Sequence, residues 1–109
     1  MFRHERINDE LQHILSETLS QRIEVPLDFL ATVTEVDCAP DMKTAKIYLS
    51  ILPFAKAEEG LKWFINTRGL IQKELGRKFR HRKATPILRF ILDDREETAS
   101  QIYNMIDSL

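Results

Sequence analysis

A chain of 109 residues that is 43% hydrophobic and 30% charged has the make-up of one globular domain, not of a disordered tract. Its apolar runs fall well short of the roughly 20 residues that cross a bilayer, so no membrane partner is expected. Cys38 is the single cysteine, which excludes an internal disulfide and a cysteine metal cluster. The N-terminus is charged from Arg3 and leads straight into a helical pattern, so no secretory signal is expected and the compartment is read as cytoplasmic.

In chain order, Ile7, Leu11, Ile14, Leu15, Leu19 and Ile23 repeat at helical spacing, and Pro26 closes that first helix. Residues 29–38 form a first strand of imperfect alternation. Phe29, Ala31 and Val33 share one face by parity and Val36 and Cys38 the other, which predicts a bulge near Thr34. Ala39-Pro40-Asp41-Met42 reads as a turn. Ala45, Ile47, Leu49 and Ile51 then alternate with Lys46, Tyr48 and Ser50, so the second strand completes a hairpin. Beyond Pro53, Ala57, Leu61, Phe64 and Ile65 mark a second helix. Asn66-Thr67-Arg68-Gly69 is expected to interrupt it before a third helix over 70–80. Pro86 opens a third strand, 87–93, with Leu88, Phe90 and Leu92 on one side. A last helix is expected from Glu96, with Ala99, Ile102, Tyr103 and Ile106 as its apolar face. The order α-β-β-α-(kink)-α-β-α predicts an α+β two-layer sandwich with a three-stranded sheet, one domain over 1–109.

Net charge is −1, but its distribution is uneven: 68–89 holds eight cations and one acid, Glu74, and so carries +7 against −8 elsewhere. The third helix concentrates this charge. With Lys73 as origin and about 100° per residue, Arg77, Arg80, Gly69 and Gly76 fall at roughly +40°, −20°, −40° and −60°, opposite Ile71 and Leu75. Glycine inside a helix costs about 1 kcal/mol against alanine. On a cationic face it makes sense where a phosphate–sugar backbone must come close; the competing reading is that Gly76 relieves crowding against a neighbouring element. Gly69 with Arg68 at a helix start adds free N–H groups suited to a phosphate.

Catalytic patterns are missing: there is no phosphate-binding glycine loop, no HExxH and no GxSxG. His4, His13 and His81 have no i, i+4 partner for a metal. Cys38 reads as a small buried hydrophobe. Asp93 and Asp94 follow a strand end, where helix-capping roles are the simplest reading. No enzyme activity, catalytic residue, metal, cofactor or small-molecule substrate is expected.

A helix, a glycine-containing break and a second helix against three strands is the layout of KH-type RNA binders, although Gly60, Gly69 and Gly76 are the only glycines and cannot form a GXXG loop. In order along nearly the whole chain, the sequence resembles the ribosome-binding factor A family. The resemblance rests on Arg3, Arg6 and Ile7 in the first helix, Thr34-Glu35-Val36, Asp41 and Ala45-Lys46-Ile47-Tyr48-Leu49. Gly69-Leu70-Ile71-Gln72 and Pro86-Ile87-Leu88-Arg89-Phe90 through Asp93 complete it. Thr67-Arg68-Gly69 stands for the family's Ala-x-Gly kink, Gln72 for an arginine and Ile87 for a glutamate. The resemblance implies a KH type II-like fold. It also implies a cytoplasmic assembly factor, monomeric, that binds the 16S rRNA of free or immature 30S subunits and assists late maturation. The candidate RNA contacts are Arg3, Arg6, Arg68, Gly69, Lys73, Gly76, Arg77, Arg80, Arg82, Lys83 and Arg89. The alternatives are a KH-like binder of other RNA, or a protein-interaction module using the basic helix.

Overall fold

The stripe of Ile7, Leu11 and Leu15 produces α1 (Arg3–Gln21), whose apolar side sinks onto the sheet while Arg6 and His13 stay in solvent. The structure is a computed structural model that describes residues 3–79 and 85–93, with side chains from residue 6. The expected last helix, His81, and the candidate contacts Arg80, Arg82 and Lys83 lie outside the described residues, as does the side chain of Arg3.

Two strands follow, β1 (Leu30–Cys38) and β2 (Thr44–Leu52), then a short 3-10 turn, the helix α2 (Ala57–Lys78) and β3 (Ile87–Leu92). The sheet order is β1-β2-β3. The first pair is antiparallel and the second parallel, with α2 as the crossover that a parallel connection requires. Both helices lie on one face, over a core that includes Leu11, Leu15, Ile47, Leu49, Phe64, Ile71 and Leu88. The layered α+β class expected from the periodicities is the observed one.

The pairing register shifts between Val33 and Glu35, so Thr34 is the extra residue of a β-bulge. This slip returns Val36 and Cys38 to the face of Val33, and all three are buried. The Thr34 hydroxyl sits 2.6 Å from Asp93 Oδ2 and 3.3 Å from the Tyr48 carbonyl. The Asp93 carboxylate therefore ties the end of β3 to the bulge across the sheet.

The main correction concerns the helix after Pro53. It runs without interruption through Asn66-Thr67-Arg68-Gly69, and the expected pair of helices is one element of 22 residues. Its buried side is Gly60, Phe64, Ile71 and Leu75, continued by Phe79 at the C-cap. Those positions are four or seven apart and share one helical phase. Ile65, one of the apolar residues that marked the expected second helix, is 47% exposed and lies outside this phase. What replaces it is Gly60, which carries no apolar signal. A Cβ there would meet Ile51 Cγ2 at 2.9 Å, so the missing side chain is what lets the start of α2 approach β2.

Edge strands present unpaired main-chain groups, and α1 satisfies two of those of β1. Asn8 Oδ1 accepts from the Cys38 N–H at 2.8 Å and Gln12 Nε2 donates to the Val33 carbonyl at 3.2 Å.

A candidate nucleic-acid interface on the solvent face of α2

Continuity of α2 decides the shape of the site. With Phe64, Ile71 and Leu75 facing the sheet, Lys73 and Arg77 face solvent, and so do Asn66, Gly69 and Leu70. Lys62, exposed as well, falls on the same side at roughly −20° from Lys73. Sequence reasoning missed Lys62 because it assigned it to a separate helix; an unbroken 3.6-residue count from Lys73 would have found it. Lys62 to Arg77 spans about 22 Å of cationic rod.

Charge is graded along this rod. Glu58 and Glu59 occupy the first turn and Arg77 and Lys78 the last, each sign favourable to the helix dipole. Part of the cationic end is thus explained by helix stability alone. Arg77 also lies 3.7 Å from Glu74, but its side chain is 63% exposed, so this pair holds it only weakly. Lys73 has no ion pair among the described residues.

The glycines separate. Among the described residues, nothing beyond Gly69's own stretch of helix lies within 4 Å of where its Cβ would stand, and no glycine has positive φ. Neither packing nor backbone conformation calls for glycine at 69, which leaves a bare patch of helix backbone beside Arg68 and Lys73. Gly76 is half-buried, and its Cβ would sit 3.5 Å from Thr85 Oγ1, an ordinary contact. Among the described residues crowding therefore does not explain Gly76, and it is less open than Gly69.

Between α2 and the start of β3 runs a shallow groove lined by Arg68, Gly69, Gln72, Lys73, Thr85 and Ile87. Gln72 builds its floor. Its Nε2 donates to the Pro86 carbonyl at 2.5 Å and its Oε1 accepts from the Leu88 N–H at 3.2 Å. Since Ile87 N–H already bonds back to the Lys43 carbonyl, the Leu88 N–H points off the open edge of β3 and Gln72 satisfies it. The residue that stands where the family pattern has arginine thus exchanges a cation for a two-point clamp. Ile87, in the place of an acid, is 56% exposed at the groove mouth.

Of the other candidate contacts, Arg6 is exposed at the start of α1, close to the end where Asn8 meets Cys38. Arg89 alternates with buried Leu88 and Phe90 and pairs in register with Lys46, so it lies on the helix-free face of the sheet. The groove brings together Arg68, Gly69 and Lys73, and helical phase sets Gly76 and Arg77 on the Lys73 side; Arg89 lies across the sheet from them. Cys38 is fully buried, and burial, with Asp37 and Asp41 adding to it, pushes its thiol up from the ordinary value. Among the described residues no group of acids, histidines or cysteine is placed to hold a metal, and no helix is long and apolar enough to cross a membrane.

A KH-like α+β sandwich with a cationic helix face that is bare at a glycine has the layout of nucleic-acid-binding domains. The family model described as ribosome-binding factor A matches residues 3–106. The Clostridium botulinum (strain Okra / Type B1) ribosome-binding factor A is 34% identical over 110 residues, covering 99% of this chain and 91% of that one. The chain belongs to the ribosome-binding factor A family. The crystal structure of ribosome-binding factor A from Thermus thermophilus superposes with a TM-score of 0.71 at 21% identity, over 84% of this chain and 97% of that one. A homology model of the Thermus thermophilus factor, fitted into a cryo-EM map of a complex with 30S, gives a TM-score of 0.62 at 19% identity, over 79% and 90% of the two chains.

Proposed function

We propose that this protein binds the 16S rRNA of the free or immature 30S subunit through the solvent face of α2 and assists late maturation of that rRNA. The observation that carries the reading is Gly69: an open glycine, needed by neither packing nor backbone, between the exposed cations Arg68 and Lys73. A ribose-phosphate chain can lie against bare backbone there, with Lys62, Lys73 and Arg77 neutralising successive phosphates. Family membership and the Thermus factor's fit into a 30S complex support the choice of particle. Phosphate contacts orient without reading sequence, so selectivity comes from the folded shape of the RNA. Arg6, and the basic residues Arg80, Arg82 and Lys83 that follow α2, are further contacts in this reading. Arg89 would contribute only from the other face. The protein acts as a monomer in the cytoplasm, without a cofactor.

The test is a sucrose gradient of ribosomes at moderate salt, with the protein traced across the fractions. Enrichment in the small-subunit peak is the expected outcome. Equal occupancy of joined ribosomes, or protein only at the top of the gradient, would defeat the assignment.

A further inference from the structure

An apolar groove lies at the other end of the molecule, by the first turns of α2, and the RNA reading makes no use of it. The C-terminal half of α1, the connection to β1 and the first residues of β1 enclose it, with Leu19, Val25, Phe29 and Phe64 in its walls. Three large apolar side chains stand exposed around it: Leu27 is 103% exposed, Leu30 66% and Leu52 39%. A second depression adjoins it on the far side of Leu27, lined by Ile23 and Glu24. The groove also runs along an open strand edge. The Val33 carbonyl points away from β2, because Gln12 takes it. Main-chain direction repeats every second residue of a strand, so the Ala31 N–H and carbonyl point outward too. Among the described residues no helix amide reaches Ala31, whereas Asn8 and Gln12 take the Cys38 N–H and the Val33 carbonyl further along that edge.

Charge selects the occupant. Glu24 and Asp28 line the two depressions, and Asp28 shares Lys56 with Glu59, so three acids stand there against one base. Asp28 and Glu59 already hold Lys56, at 3.6 and 3.3 Å. Nucleic acid is repelled by such a rim. So is the chain's own segment 94–109, whose four acids and one arginine sum to −3. A second copy of the chain, joined by a two-fold axis, would set acidic rim against acidic rim. A basic extended peptide meets none of these obstacles.

We propose that this groove docks an extended segment of a basic protein. An aliphatic side chain of the segment enters the groove beside Leu27, its main chain pairs with Ala31 along the open edge of β1, and flanking Lys or Arg lie against Glu24 and Asp28. The inference is independent of the RNA face, which is served by other residues of the chain.

The experiment is an NMR titration of the full-length protein with two acetylated peptides, Arg-Val-Leu-Val-Arg and Glu-Val-Leu-Val-Glu, and with a short single-stranded RNA. The arginine peptide should shift the amides of residues 25–33 and bind at least about tenfold more tightly than its glutamate counterpart. Leu27→Glu, at a fully exposed position that leaves the fold alone, should weaken the arginine peptide about tenfold, and Glu24→Lys about threefold. Equal binding of the two peptides, absence of shifts at 25–33, or RNA moving those same amides would each overturn the proposal.

Discussion

Alanine substitution of the three glycines of α2 separates their roles, and Gly69→Ala is the informative member. At 69 a methyl group meets nothing within 4 Å and φ is not positive, so only helix propensity acts. The gain is about 1 kcal/mol, or an increase in Tm of roughly 4 °C for a domain of this size. The same methyl group stands where the RNA backbone is proposed to lie, and affinity for small subunits should fall about tenfold, equivalent to about 1.4 kcal/mol. Gly60→Ala runs the other way: its Cβ would sit 2.9 Å from Ile51 Cγ2 and 3.0 Å from Ile51 Cδ1. Overpacking there should cost about 1–3 kcal/mol, with affinity per folded molecule unchanged. Gly76→Ala, with its Cβ 3.5 Å from Thr85 Oγ1, should gain nearly as much stability as the change at 69. Urea unfolding followed by circular dichroism reads the stabilities, and co-sedimentation with purified small subunits reads the affinities. A Gly69→Ala protein that is less stable than the parent would refute the continuous helix. One that is more stable and binds as before would show that the bare backbone at 69 is not a contact.

The charge-reversal pair Lys73→Glu and Arg77→Glu should abolish small-subunit binding with little change in Tm, because both side chains are exposed opposite the core. If Lys62, Arg68, Lys73 and Arg77 are the main contacts, the log–log salt dependence of the parent should have a slope of about −3; a slope near zero would point to apolar binding instead. Gln72→Leu strands the Leu88 N–H and the Pro86 carbonyl and should destabilise by about 1–3 kcal/mol, measured by urea unfolding. Gln72→Arg should lose the bond from the Leu88 N–H yet bind RNA at least as tightly, and lower affinity would contradict the groove assignment. Cys38, whose thiol is pushed up by burial, should react with a disulfide reagent at pH 8 far more slowly folded than unfolded. A group raised in the folded state stabilises below its unfolded pKa and loses that contribution as pH climbs. Cys38→Ala should therefore flatten the decline in stability at alkaline pH.

Local patterns in the sequence were enough for the elements whose signal is their own periodicity. The stripe Ile7-Leu11-Leu15 specifies α1 by itself, and Ala45-Ile47-Leu49-Ile51 specifies β2, because one buried face demands that spacing. Even the bulge at Thr34 was legible, since a change of parity inside a strand of buried residues has few other solutions. The cationic character of 68–77 was equally local. Tertiary structure decided what depends on a second element. Gly60 carries no apolar signal within its helix and is a close approach to Ile51, visible only once β2 is beside it. Because Gly60 belongs to the buried stripe and Ile65 does not, α2 is one rod, and that continuity brings Lys62 into line with Lys73. Gln72 reads as a lost cation, and becomes a clamp only when the open edge of β3 lies within reach of its amide. Arg89 shares a basic segment with Lys73, but β-strand alternation turns it to the other side of the sheet. Charge along a chain is additive, whereas the field at a surface depends on which face each side chain takes, and packing makes that choice.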